Sequence, residues 1–268
     1  MRRALGLSLR IDIAPHAVSV QCISRWRRWR RFSRAAAPVM LAVQAITPSA
    51  DHPVDAIAIA NAVRTLLGEL DVQGWPVSVV LADELTRMWR VTPPGGAARM
   101  ADLEAAAALR FQSLYGEPAT AWQVSADWDA TQPFFAAAVP RALLAALSVV
   151  AQDCRLAIVA IEPRLVCAWN RSRRELKAGA WLGHVHDNLL TLAAIDADDK
   201  GLRAIRALPI PHGADHYWLT QTLQREALLL DMAAPALLQV NGNAPTEWSK
   251  PVTSAAHIPC MLLAGGAA

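Results

Sequence analysis

The sequence predicts an α/β chain in which one β-β-β-α-β unit occurs twice, with an α+β segment inserted in the first half. Strand-like and helix-like periods recur in the same order at residues 4–82 and 180–242, and they carry the repeat. Composition carries the rest: 268 residues, 54% hydrophobic and 18% charged, are enough to bury one large core or two smaller ones. Such a chain is globular and not disordered.

The first copy opens with "ALGLSLRIDI" (4–13), whose side chains alternate in character as those of a half-buried strand do. "AVSVQCIS" (17–24) follows the turn former Pro15, and "APVMLAVQAI" (37–46) makes a third run, so an antiparallel meander is expected. In "PVDAIAIANAVRTLLGELD" (53–71), Val54, Ile57, Ala58, Val63, Leu66, Leu67 and Leu70 recur at helical spacing, with Asp51 as the candidate cap. "PVSVVLA" (76–82) reads as a buried strand.

The inserted stretch offers a strand in "TRMWRVT" and a loop in "TPPGGAA" (92–98). A helix in "MADLEAAAALRFQSLY", strands in "AWQVSAD" and "PFFAAAV", and a helix from Pro140 follow. "RLAIVAIE" is a further strand, and a helix is expected to begin at Pro163. The second copy comprises strands "AWLGHVH" (180–186), "NLLTLAAID" (188–196) and "LRAIRALPI" (202–210), helix "DHYWLTQTLQREALLLDM" (215–232) and strand "PALLQVNG" (235–242). The two copies repeat in topology and not in residues. The expected division is a first lobe of 1–83 with 154–178, an inserted subdomain of 84–153, and a second lobe of 179–268.

The net charge of +3 hides an asymmetry: residues 1–50 hold nine of the 26 basic residues, all Arg, and one acidic residue, Asp12. The remainder is net acidic, 17 minus 22 or −5. Basicity is concentrated in "SRWRRWRRFSR" (24–34), with six Arg, two Trp and one Phe, and a local patch points to a specific docking surface. If the run is extended, Trp26, Arg28, Arg30 and Phe32 share one face and Arg25, Arg27, Trp29 and Arg31 the other. Neither face is apolar, which argues against burial, because an unpaired guanidinium is costly to bury. The plain reading is a solvated tip. The functional readings are an anionic membrane surface, an acidic partner, or single-stranded nucleic acid, the last disfavoured because no second basic strip completes a groove.

Cysteines 22, 154, 167 and 260 show no C-x-x-C spacing and read as reduced, mostly buried thiols. Arg10 and Asp12 interrupt the first apolar stretch too early for a signal peptide, and "ALLAALSVVA" (142–151) has about half of the ~20 residues a membrane span needs. His184 with His186 and His212 with His216 are spaced as metal ligands sometimes are, but no carboxylate stands at a matching interval and no metal is expected. No G-x-S-x-G elbow, Walker loop, H-E-x-x-H or dinucleotide glycine fingerprint occurs.

Two β-β-β-α-β units with an insertion in the first are the plan of the actin-like (ASKHA, ribonuclease H-like) fold. "LGLSLRIDIAPHAVSVQCI" (5–23) resembles the opening of the type IV pilus protein PilM and of the cytoplasmic region of type II secretion protein L, where it forms the first phosphate loop. "VAIEPRLVCAWNR" (159–171) is similar to their strand ending in Glu-Pro and the helix after it.

The resemblance implies a nucleotide site whose loops are altered here. In active relatives an Asp holds the metal's water shell and Gly lets backbone N–H groups approach phosphate. Asp12 is retained, but Ala14 stands at the Gly position, followed by Pro15, which has no N–H, and by His16. In "LGHVHDNLLT", Gly183 precedes the second turn and Asp187 lies within it, out of the expected order, and only Gly242 remains of the adenosine-side glycines. The implied protein is a pseudo-ATPase without cofactor, a scaffold on the cytoplasmic face of the inner membrane. Its implied partners are a PilN-type protein or its cytoplasmic peptide, and also the assembly ATPase or anionic lipid. The L proteins carry their own span and this chain is not expected to, which places it nearer PilM. A divergent actin-like ATPase or kinase and a nucleic-acid protein are the alternatives.

Overall fold

The computed structural model describes residues 6–24, 38–46, 55–97, 99–197, 201–250 and 257–263. The chain divides into two compact units, Met1–Arg164 and Leu165–Ala268.

In the first unit, β1 (Leu7–Ala14), β2 (Ala17–Ser24) and β3 (Val39–Ala45) form the expected antiparallel meander. β4 (Pro76–Leu81) and β8 (Ala157–Pro163) add in parallel on the other side of β1, giving the order β3-β2-β1-β4-β8. One face of this sheet is apolar: Leu9, Ile11, Ile13, Val18, Val20, Val77, Val79 and Leu81 are buried with Ile59, Val63 and Leu66 of α1 (Ala56–Gly68) and Leu143, Leu147 and Val150 of α3 (Arg141–Asp153). The period of two on the strands and of 3.6 on the helices brings these residues together, and burying each large side chain contributes about 1.5–3 kcal/mol.

Some local expectations are corrected. α1 starts later than the sequence suggests: Asp55 is its cap, accepting from the N–H groups of Ile57 and Ala58, while Asp51 lies outside the described residues. Pro140 and Pro163 each end a strand, and their helices begin one residue later, because the fixed φ of proline suits extended backbone as well as a first helical turn. α3, assigned from sequence to the insertion 84–153, packs instead in the core of the first sheet.

The inserted part is a three-stranded antiparallel sheet, order β5-β7-β6, of β5 (Arg87–Val91), β6 (Trp122–Ala126) and β7 (Phe134–Pro140). α2 (Met100–Tyr115) packs Phe111 against Trp89 and Trp122, with ring centroids 5.1 and 5.5 Å apart. This small core is its own.

The second unit repeats the first topologically. β9 (Ala180–His186), β10 (Leu189–Ile195) and β11 (Leu202–Pro209) form the meander and β12 (Leu237–Gly242) pairs with β9 in parallel. β13 (Cys260–Leu262), too short to show a period in the sequence, pairs with β12 and completes the order β11-β10-β9-β12-β13. α5 (His216–Leu229) is capped by Asp215, whose carboxylate accepts from the Trp218 N–H, and it buries Leu219, Leu223 and Ala227.

α4 (Arg164–Ser172) carries the boundary between the units. Residues 165–178 belong with the second unit and not, as the sequence suggests, with the first lobe. The physical reason is a set of hydrogen bonds to β12: Asn241 donates to Ser172 Oγ at 2.8 Å, and the Gln239 amide accepts from the Lys177 N–H at 2.6 Å and donates to the Glu175 carbonyl at 3.3 Å.

Candidate functional site

The candidate site in the first unit is built on the polar face of its sheet, opposite α1 and α3. Arg10 and Asp12 are two residues apart on β1, so both project from this face. Both are buried, and the Arg10 guanidinium grips the Asp12 carboxylate with two hydrogen bonds, Nε to Oδ2 at 2.8 Å and Nη2 to Oδ1 at 2.7 Å. Arg164, where β8 gives way to α4, brings a second buried guanidinium to the same carboxylate, Nη2 to Oδ1 at 3.6 Å. Arg–carboxylate pairs of this two-pronged kind are the strong ones, and here both partners lack water to compete. Gln21 is the register partner of Arg10 and is buried beside it.

Both hairpins that the resemblance associates with phosphate are closed by two residues. Ala14 is the last residue of β1, pairs with Ala17 and is buried; Pro15 and His16 make the turn. His16 is exposed, and its carbonyl accepts from the Ile46 N–H at 2.6 Å. In the second unit Asp187 and Asn188 make the turn, both left-handed with φ of 47° and 61°, the pattern of a type I′ hairpin. The Asp187 carboxylate lies 2.6 Å from His186 Nε2, and the Asn188 carbonyl accepts from the Ile210 N–H.

The two glycines near the second hairpin have structural uses. Gly183 lies inside β9, where a Cβ would come within 3.0 Å of Leu190 and 3.3 Å of Val240. Gly242 ends β12 at φ +92°, and a Cβ there would run into the Val185 carbonyl. The close approach of β12 to β9 therefore requires a glycine whether or not a ligand binds.

The structure thus brings Asp12 together with Arg10 and Arg164, which the sequence reading did not join to it. The signal was present: an Arg and an Asp two apart in an otherwise apolar strand share a face and must satisfy each other. Asp187 and Gly242 lie in the second unit. The basic strip, Arg25, Trp26, Arg27, Arg28, Trp29, Arg30 and Arg31, lies outside the described residues.

A second basic surface escaped the sequence reading, which found only one. Trp169, Arg173, Arg174 and Lys177 line a cleft of about 420 Å³ in the second unit with Ile195 and Asp196. The segment "NRSRRELK" (170–177) carries four cations and one acid, and a count over that window would have found it. The four cysteines form no disulfide among the described residues and are half-buried. Among the described residues no helix is long and apolar enough to cross a membrane, and no group of three His, Cys, Asp or Glu side chains gathers to hold a metal ion.

Two β-β-β-α-β units, each with its first strand flanked by the second and fourth, an insertion after β4, and the same topological order of strands in both sheets decide the fold. The fold is actin-like. Solved actin-like structures superpose on it over most of their length. A Bacteroides thetaiotaomicron protein with an actin-like ATPase fold aligns over 98% of this chain and 93% of its own, with a TM-score of 0.62 and 8% identity. The PilM–PilN type IV pilus biogenesis complex aligns over 88% and 81%, with a TM-score of 0.57 and 13% identity. The cytoplasmic domain of EpsL, an inner membrane component of the type II secretion system of Vibrio cholerae, aligns over 89% and 82%, with a TM-score of 0.54 and 12% identity. No family model and no curated protein matches the sequence.

Proposed function

We propose that the chain is a non-catalytic actin-like adaptor of a type IV pilus or type II secretion-like assembly, held at the cytoplasmic face of the inner membrane by a PilN-type partner. The observation that carries the non-catalytic reading is the double clamp on Asp12. A carboxylate that holds a metal's water shell must offer its lone pairs to water, and this one accepts two hydrogen bonds from Arg10 with the Arg164 guanidinium in an ion pair at 3.6 Å. A dication brought here would face two guanidiniums at close range. The turn residues agree, since Pro15 offers no N–H and neither turn contains glycine. These residues do not fit Mg²⁺ and a nucleotide.

The assembly reading rests on the two pilus and secretion structures among those that share the fold, one a complex with PilN and the other an inner membrane component. The arginine strip at 25–31 supplies the chemistry for the contact. Nucleotide with Mg²⁺ should leave the Tm unchanged, since a ligand at 100 times its Kd would stabilise by about 2.7 kcal/mol. An upward shift, or phosphate release, refutes the non-catalytic reading in favour of a divergent ATPase or kinase. Replacing Arg27, Arg28, Arg30 and Arg31 by Ser should keep the fold and abolish capture of a PilN-type cytoplasmic peptide; capture that survives, or tight binding of single-stranded DNA without peptide capture, refutes the assembly reading.

A further inference from the structure

The cleft of the second unit is made by two short stretches of chain. Trp169 on α4 and Arg173, Arg174 and Lys177 just after it come from one, and Ile195 and Asp196 at the end of β10 from the other. Among the described residues none of the three cations pairs with a carboxylate, whereas Asp196 is met by Arg203 of β11, Nε to Oδ2 at 3.6 Å. The cleft thus carries three cations against one acid that is already answered.

Both stretches are fixed from within. Gln239, fully buried on β12, accepts from the Lys177 N–H at 2.6 Å and donates to the Glu175 carbonyl, and the Glu175 N–H donates to the Ser172 carbonyl at 2.8 Å. The buried Trp181 indole donates to the Ile195 carbonyl at 3.0 Å and holds the end of β10. A buried amide or indole N–H is costly unless satisfied, and here the satisfaction anchors the walls of the cleft. Pre-arranged walls leave a ligand less ordering to bring about. The cleft is also remote from the hairpin that the resemblance associates with phosphate. His186 faces Leu189 beside the Asp187–Asn188 turn, while Leu182 faces Ala193 toward the other end, and seven-residue strands put about 20 Å between the ends.

We propose that this cleft binds the phosphate group of a small polyol phosphate, with Arg173, Arg174 and Lys177 on the phosphate and Trp169 against the polyol carbons. Guanidinium forks match phosphate oxygens, and an ammonium adds a point charge. Asp196 selects against ligands whose charge is spread along their length, since an acidic peptide would set a carboxylate against it, whereas a hydroxyl donates to it. The volume of about 420 Å³ agrees, lying near the small end of the range for small-molecule clefts, about 300–1,000 Å³. Such a phosphate has two sources, a free monoester or the diester headgroup of a glycerol-based lipid. The inference does not rest on the adaptor reading, whose tests address the first unit.

Isothermal titration calorimetry of the full chain without metal separates the sources. The probes are glycerol 3-phosphate, a free monoester, and dihexanoylphosphatidylglycerol kept below micelle formation, a soluble diester with the lipid headgroup. At least one should bind saturably, with affinity that falls as salt rises, and the one that binds names the source. Arg173→Ser combined with Arg174→Ser should weaken binding at least about tenfold, a change of about 1.4 kcal/mol. Both side chains are exposed, so the fold should survive their loss. Lys177→Gln, which keeps the main-chain bond to Gln239, gives the same reading where the double variant alters the circular dichroism spectrum. The proposal is overturned if neither probe binds, or if both variants bind as the wild type does. A tetraglutamate peptide that binds more tightly than either phosphate also overturns it, because the occupant is then an acidic segment.

Discussion

The central strands of the two sheets hold the same place and opposite chemistry. β1 carries Arg10 and Asp12 on its polar face; β9, counted from the same hairpin end, carries Leu182 and His184. The neighbours of Asp12 are Ser19 and Val80, and the charge is answered by Arg10 and Arg164. Those of His184 are Thr191 and Asn241, and Asn241 donates a neutral hydrogen bond to Ser172 that holds the end of α4. A sheet of this topology is specified by its ladder and its apolar face, so the other face is free to differ. Sharing a fold with ATPases therefore says little about chemistry, and the side chains of that face decide it.

The comparison breaks most visibly at Asp12. Asp12→Ala takes from the buried Arg10 guanidinium the carboxylate that accepts its two hydrogen bonds, and the expected loss is about 3–5 kcal/mol in urea unfolding. Adding Arg10→Met should recover part of it, with a coupling energy of about 0.5–3 kcal/mol. A loss below about 1 kcal/mol, the value of a solvent-screened pair, would show that the charged face is not structural.

The neutral face should respond less. Asn241→Leu removes one hydrogen bond to Ser172 and leaves its hydroxyl to be resolvated, so a loss of about 1–3 kcal/mol is expected. The same unfolding measurement should then show faster hydrogen exchange at residues 172–177, which Asn241 and Gln239 hold. An effect as large as that of Asp12→Ala would mean that charge is not what separates the two units.

The repeated architecture was legible because it rests on periods: two for Leu9, Ile11 and Ile13, and 3.6 for Ile59, Val63 and Leu66. The junctions were less legible. Pro140 and Pro163 suit strand and helix alike, and β13 has three residues and no period. The assignment of α4 depended on amide bonds from Gln239 and Asn241, more than sixty residues away, which no local pattern encodes. Asp12 was visible as the one acid of the first fifty residues, but its neutralisation by Arg164 comes from the crossover that sets β8 beside β4. Gly242 was visible as a glycine, and its reason, the Val185 carbonyl, only in three dimensions.

The smallest effect separates the buried thiols of the two units. Burial pushes the Cys260 thiol from its ordinary 9.0 up to about 12, and pushes Cys154 up as well, helped by Asp153 and opposed by Arg64. A thiol whose pKa is raised by folding favours the folded state fully below pH 9, and that contribution is lost as pH rises toward 12. Cys260→Ser, which does not titrate there, should flatten the decline of stability between pH 9 and 11 relative to wild type while changing little at pH 7. Only the thiolate is alkylated, so at pH 9 iodoacetamide should modify Cys154 before Cys260 in the native protein, as peptide mapping would record. Cys260 reacting as fast as Cys154 would mean that β13, the outermost strand beside β12, opens often enough to expose its thiol, and that the second sheet is weaker at this edge than its repeated topology suggests.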